Sequence, residues 1–274
     1  MRKKGYSCHD IDVICFTHYH GDHISGLPGL LLSMGNEGHT EPLLICGPKG
    51  VDEVVKNLTY ICPELPFRVN TQVMGDFDTF ERDGFSVTSF EVRHSCPCIA
   101  YDVRINRAGR FDVEKAKQNG VPVALWSRLQ KGEEIDGYTR DMVLGETRRG
   151  IHVTYSTDTR PTDMISTMAT DADLLICEGM FESEKLDRAR ESSHMTVTEA
   201  ANLARESGCR ELWLTHFLLL CQIRRSASTK RRRYSRTQRR GTTDLRKRYG
   251  LTIKKIENIL CFRFFLLSCS RVSE

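Results

Sequence analysis

Between positions 18 and 23, the segment Thr17-His18-Tyr19-His20-Gly21-Asp22-His23 gathers three imidazoles and one carboxylate. Imidazole nitrogens and carboxylate oxygens are the donors that zinc-like ions take. Just after a strand, such residues can converge from a tight loop on metal, and their alternate spacing lets side chains diverge to two ions. The plain alternative is a surface loop that happens to be His-rich. The chain has only nine histidines, so a chance cluster of this density is the weaker reading.

Two ions need more ligands than one loop supplies. Further candidates stand where strands end: His94 after Phe90-Glu-Val-Arg93, Asp158 after Thr154-Tyr-Ser-Thr157, and His216 after Leu212-Trp-Leu-Thr215. Each polar residue closes an apolar run, which puts all three along one edge of a sheet. Any one alone reads better as a satisfied strand-end residue. Their recurrence favours a site.

The elements that must carry these residues follow from period and composition. Strand-like runs at 12–17, 43–46, 85–92, 99–105, 151–156, 174–177 and 211–214 mix with helix-like runs at 26–34, 48–58, 164–169 and 196–207. Such mixing predicts an α/β layered sandwich. Gly47-Pro-Lys-Gly50 lacks the GxxxxGK[ST] pattern of a phosphate loop and reads as a helix start. His9, His39 and His152 fit no motif and are read as structural or surface residues. Residues 107–149 depart from the pattern, being charged, Gly-containing and weakly apolar, and read as an insertion projecting from the sandwich.

Composition excludes several classes. The 274 residues are 39% hydrophobic and 28% charged, and no run reaches the roughly 18 apolar residues of a membrane span. Met1-Arg2-Lys3-Lys4-Gly5-Tyr6 lacks the apolar run of a signal peptide. Eleven cysteines without an export signal fit a reduced, cytoplasmic protein. Cys96-Pro97-Cys98 is too closely set for a CxxC motif, and Cys15, Cys46 and Cys177, inside apolar runs, read as buried thiols. The net charge of +4 hides a split: residues 1–222 carry 24 basic and 33 acidic residues, a net of −9, whereas 223–249 carry 12 basic residues against Asp244 alone, a net of +11.

Taken together, these segments resemble the metallo-β-lactamase superfamily and, within it, ribonuclease Z, the endonucleases that trim the 3′ ends of precursor tRNA. The resemblance rests on Phe16-Thr-His-Tyr-His-Gly-Asp-His-Ile-Ser-Gly-Leu-Pro-Gly-Leu30, Gly47-Pro-Lys-Gly50, Tyr155-Ser-Thr-Asp-Thr-Arg160, His194 ahead of Glu199-Ala-Ala201, and Leu214-Thr-His-Phe217, over about residues 10 to 217 in the family's order. It implies an αββα sandwich. It also implies two Zn²⁺ per chain, with Mn²⁺ as the other candidate: His18, His20 and His94 around one ion, Asp22, His23 and His216 around the other, and Asp158 bridging. A metal-activated hydroxide would attack the phosphodiester. Asp22 would also serve as general base, and His194, a non-ligand, would help protonate the departing 3′ oxygen. The plain alternative for His194 is a residue at a helix start.

By the same resemblance, residues 107–149 would be a flexible arm that clamps the tRNA, with Arg107, Arg110, Lys115, Lys117, Arg128 and Lys131 meeting phosphates. A solvated loop is the bland reading, since acids are interspersed. The family also implies a homodimer. The chain departs from it at both ends. Its metal loop comes roughly fifty residues early, so the resemblance predicts missing first strands, an uncovered sheet edge and a looser metal site. After Phe217 the chain reads as an atypical basic segment, 218–274, from a local frameshift, a disordered stretch or a basic RNA-binding tail. Family-like sequence returns near Gly250-Leu-Thr-Ile253. Two rivals stand beside tRNA 3′ processing: a hydrolase of small phosphodiesters on the same fold, and a non-catalytic RNA-binding remnant.

Overall fold

The computed structural model describes residues 7–82 and 84–216, together with the backbone of 252–255 and 265–267. Two sheets form the frame. The first has four strands in the order β11-β1-β2-β3, with β1 (Val13–Cys15), β2 (Leu43–Gly47) and β3 (Val69–Val73) parallel and β11 (Phe265–Leu267) antiparallel to β1. The second has seven, ordered β10-β9-β8-β7-β6-β5-β4: β4 (Thr79–Arg82), β5 (Phe85–Val92), β6 (Cys98–Arg107), β7 (Arg148–Tyr155), β8 (Leu174–Glu178), β9 (Glu211–Thr215) and β10 (Thr252–Lys255). β7 to β10 run parallel.

Helices cover each sheet. α2 (Leu27–Asn36) places Leu27, Leu30, Leu31 and Met34 on one face, and these pack with Ile14, Phe16, Ile45 and, from α3 (Val51–Thr59), Val51 and Val55. Each fully buried leucine contributes about 2 kcal/mol of transfer free energy. Pro28 sits in the first turn of α2, where its missing N–H is harmless. Gly50, at φ +100°, lets the chain turn directly from β2 into α3, so the Gly47–Gly50 segment is the helix start expected of it. On the second sheet, α6 (Asp163–Met168) and α8 (Val197–Ser207) bury Ile165, Ala200, Ala201, Leu203 and Ala204 against Leu175, Cys177, Leu212 and Leu214. Between the sheets, buried Tyr101 on β6 donates to the carbonyl of Phe16, just past β1, at 2.6 Å. This is the αββα layering that the resemblance implies. Cys15, Cys46 and Cys177 are free, buried thiols, as their apolar surroundings suggest.

Residues Arg104–Ile151 form a compact unit of their own. The expectation of a weakly apolar insertion needs correction here. α4 (Val113–Gln118) and α5 (Trp126–Gln130) bury Ala116, Val121, Leu129, Val143 and Leu144, with Phe111, Trp126 and Tyr138 packed alongside. These apolar residues are spread over short elements with no sustained period, so sequence patterning hides the cluster. Gly109 lies against Gly145, whose carbonyl oxygen a Cβ would meet at 2.1 Å.

An uncovered sheet edge is expected from the missing first strands; β1 has β11 beside it, with Ile14 opposite Leu266. Of the segment read as atypical, only β10 and β11 are described, so the frameshift and disorder readings of 218–274 lie outside the described residues. Among the described residues no helix is long and apolar enough to cross a membrane.

Candidate metal centre

Every residue picked out at a strand end reaches one region. After β1, Phe16 N–H bonds to the Cys46 carbonyl at 2.8 Å and Ile99 N–H to the Thr17 carbonyl at 2.9 Å, which fixes the path into the loop. Tyr19 Oη donates to the carbonyl of Pro48, pinning the loop to the Gly47–Gly50 turn. α1 (Gly21–Ile24) then begins, and carries Asp22 and His23. His94 follows β5, Asp158 follows β7 and His216 follows β9. His216 has φ +53°, a left-handed backbone that a residue with a Cβ adopts at a cost.

Asp158 stands at the middle. Its Oδ2 lies 3.1 Å from His23 Nε2, 3.2 Å from His216 Nε2 and 3.8 Å from His18 Nε2. The donor atoms of His18, His20, His94 and Asp158 fall within 4.8 Å of one another, and so do those of Asp22, His23 and His216. His94 Nε2 faces His20 Nδ1 at 3.3 Å. Asp22 Oδ2 is 3.7 Å from His23 Nε2 and 3.9 Å from His216 Nε2.

Three observations say that this set suits metal ions. His18 Nε2 is buried with no hydrogen-bond partner, a lone pair aimed into the cluster. Such a group is costly unless something else satisfies it. Next, His94 Nδ1 donates to the Ser193 carbonyl at 3.0 Å, and this fixes the tautomer that leaves Nε2 as the ligand atom. Finally, burial pushes the His18 imidazole down to about 3, with the charge of His23 adding to it, so its ring stays neutral and able to coordinate. Burial pushes the Asp158 carboxyl up, but the His23 hydrogen bond and the facing imidazoles outweigh this and hold it well below the usual carboxylate range. An anionic oxygen facing three imidazoles is a natural bridge.

His194 enters the same region in a third group of donors, with Asp158 and His216. Its ring stacks on His216 with centroids 5.1 Å apart. Its donor atom also lies within 4.8 Å of those of Asp158 and His216. Nδ1 bonds to Glu178 Oε1 at 3.0 Å, and Glu178 also accepts from Thr159 N–H at 2.7 Å and Met195 N–H at 3.1 Å. Burial raises Glu178 to about 7 against the pull of these bonds, while Glu178 raises His194 against the effect of burial. The hydrogen bond favours the charged form of each.

Glu178 is the functional residue that sequence reasoning missed. It closes the apolar run Leu174-Leu-Ile-Cys177, so the strand-end rule that found His94, Asp158 and His216 would have found it too. Cys98, with Sγ 3.8 Å from His18 Nδ1, and Ser193 were also passed over. His39 and His152 lie elsewhere: His39 Nδ1 contacts the His9 carbonyl, and His152 pairs with Asp102.

The six basic residues proposed for phosphate all fall in the Arg104–Ile151 unit. Lys115 Nζ donates to the Leu144 carbonyl at 2.7 Å, Lys117 pairs with Glu114 at 3.0 Å and Arg128 with Glu133 at 2.7 Å. Arg110 and Lys131 are exposed, and Arg107 is half-buried.

The sequence profile of the beta-lactamase superfamily domain matches residues 1–111 and 102–217. A protein of Lachnoclostridium phytofermentans named ribonuclease Z is 52% identical over 223 residues, covering 79% of this chain and 73% of its own. A ribonuclease Z of Clostridium acetobutylicum is 45% identical over 229 residues, with coverage of 79% and 74%. Among solved structures, the metallo-beta-lactamase fold protein YhfI of Bacillus subtilis superposes with a TM-score of 0.60 at 17% identity, covering 97% of this chain and 81% of that one. The short form of human tRNase Z gives a TM-score of 0.55 at 23% identity, covering 79% and 76%. At these identities the two structures speak for the fold.

Proposed function

The chain belongs to the ribonuclease Z family of the beta-lactamase superfamily, and from that premise we propose that it is a metal-dependent endoribonuclease that removes the 3′ trailer of precursor tRNA. The observation that carries the reading is the convergence of His18, His20, Asp22, His23, His94, Asp158 and His216 at the carboxyl ends of the strands. The donor set, nitrogen-rich with one central carboxylate, fits two Zn²⁺ per chain, Mn²⁺ being the second candidate. Bound there, such ions lower the pKa of water and stabilise the attacking and leaving oxygens of a phosphodiester.

The chain's own residues have separate tasks. His18, His20 and His94 would hold one ion and Asp22, His23 and His216 the other, with Asp158 within reach of both. Asp22, the most exposed carboxylate of the set, is placed to take a proton as general base. His194, its ring oriented through Nδ1 by Glu178, is placed to deliver a proton to the departing 3′ oxygen. Thr157 Oγ1, donating to Asp158 Oδ1 at 2.7 Å, turns the other carboxylate oxygen toward the imidazoles. Arg107, Arg110, Lys115, Lys117, Arg128 and Lys131 supply the phosphate-binding surface of the arm, and the enzyme works as a cytoplasmic homodimer.

The test is cleavage of labelled precursor tRNA carrying a 3′ trailer. We expect one cut at the discriminator base, lost with chelator and restored by Zn²⁺. Soluble, monodisperse, zinc-loaded protein that leaves the RNA intact would overturn the reading, and salt-sensitive binding that ignores His18 and Asp22 would favour an RNA-binding remnant.

A further inference from the structure

Arg160 lies two residues beyond Asp158 and offers no donor to the cluster, yet it joins three of the segments that build it. Its backbone N–H bonds to the Arg93 carbonyl at 2.7 Å, beside His94. Thr159 Oγ1 adds to this seam, accepting from Arg93 N–H at 3.0 Å. The Arg160 guanidinium grips the entry to α8: Nη2 donates to Glu199 Oε1 at 2.5 Å, and Nη1 to Glu199 Oε2 at 3.2 Å and to the His194 carbonyl at 2.5 Å. Both side chains of the ion pair are largely shielded, at 16% and 20% exposure. A two-pronged Arg–carboxylate contact in that setting is more rigid than a surface pair.

Helix stability does not require all of these bonds. Thr196 and Glu199 already form a complete capping box, with Glu199 N–H on Thr196 Oγ1 at 3.2 Å and Thr196 N–H on Glu199 Oε2 at 2.9 Å. The bond from Arg160 to the His194 carbonyl adds nothing to the cap. It holds the turn before the helix, where Ser193 has φ +59° and turns its own carbonyl onto His94 Nδ1. A left-handed Ser is strained and persists only where its surroundings over-determine it. The same turn therefore sets the tautomer of a metal-ligand candidate through Ser193 and presents His194.

We propose that Arg160 is a positioning residue for the reaction: its guanidinium fixes the Ser193–His194 turn, and with it the placement of the His194 ring against the cluster. The inference rests on the tRNA-processing reading above. Lys at 160 keeps a charge beside Glu199 and so spares the cap, but cannot fork to the His194 carbonyl as well.

The experiment compares Arg160→Lys and Arg160→Ala with the wild type on two substrates. On precursor tRNA, kcat should fall roughly a hundredfold with KM unchanged, the cost of a misplaced catalytic group. On bis(p-nitrophenyl) phosphate, whose leaving group departs without a proton, the fall should be at least about tenfold smaller, what remains being the loosening of His94 through Ser193. Adding Arg160→Ala to His194→Ala should slow tRNA cleavage further only by the factor that Arg160→Ala shows on bis(p-nitrophenyl) phosphate. In the metal-free protein, the imidazole resonances of His194 should move in Arg160→Lys. Equal losses on both substrates, or Arg160→Lys with wild-type kcat and an unmoved His194 resonance, would overturn the proposal. A wild type that cannot cut precursor tRNA would sink the functional reading instead, and the His194 resonance would still decide whether Arg160 holds the turn.

Discussion

The strand-end cluster and the Arg104–Ile151 unit treat charge in opposite ways. In the cluster, polar groups are drawn into the interior: His18, His23 and Asp158 are each no more than 3% exposed, and ligand-type atoms of the set lie close together. In the other unit, the interior is apolar and the charges lie outside, several already answered by a neighbour within the unit. Burying a polar group is costly unless a partner compensates it. The cluster's geometry is thus evidence for a ligand, whereas a surface lysine or arginine is evidence only of solubility until something binds it.

The sharpest way to break this contrast is Asp158→Asn. The substitution keeps shape but removes the one charge that three imidazoles share. If Asp158 bridges two ions as proposed, its loss forfeits several kcal/mol of metal-assisted stabilisation, and kcat on precursor tRNA should fall on the order of a thousandfold or more. Bound metal, measured by elemental analysis, should fall with it, while tRNA affinity stays within about twofold because phosphate contacts made elsewhere supply it. Full metal content and near-wild-type turnover would mean that Asp158 is a structural strand-end carboxylate after all.

How much could be read beforehand follows the same divide. The loop at His18–His23 was legible because ligand types at that spacing have few other uses, and His94, Asp158 and His216 because a polar residue closing an apolar run marks a sheet edge. The order of strands and helices came through as well, with boundaries off by a few residues: β1 covers 13–15 rather than 12–17, and β7 starts at 148 rather than 151. β3 and β4 were missed because Val69-Asn-Thr-Gln-Val73 and Thr79-Phe-Glu-Arg82 hold no fully buried residue and carry little apolar signal. Glu178 was missed for a different reason. It closes an apolar run as the residues that were found do, but an acid at a strand end is common, and only the fold ties this one to His194. Arg160 and Glu199 are likewise linked across 39 positions, a pairing no local pattern encodes.

The second prediction sharpens the contrast from the other side. Leu129 is fully buried in the apolar cluster of the Arg104–Ile151 unit. Leu129→Ala should cost about 2–5 kcal/mol there, enough to loosen the unit. If that unit carries tRNA, KM for precursor tRNA should rise while hydrolysis of a small chromogenic diester holds. Parallel loss on both substrates would show that the unit is needed for the integrity of the whole and is no separate RNA-binding arm.

The smallest effects separate basic residues that are already engaged from those that are not. Lys117 and Arg128 pair with Glu114 and Glu133 at the surface, where such pairs contribute well under about 1 kcal/mol. Arg128→Ala should therefore hardly move the melting temperature. An RNA phosphate could outcompete Glu133 at little cost, but the exchange of one anion for another gains less than a new contact does. Arg110 and Lys131 are exposed and carry no such pair among the described contacts, so Arg110→Ala and Lys131→Ala should each lower the salt dependence of tRNA binding by about one counterion. Arg128→Ala should lower it by less. If all three variants bind tRNA as the wild type does across a salt titration, the phosphate-binding surface lies outside these residues, and their charge serves solvation alone.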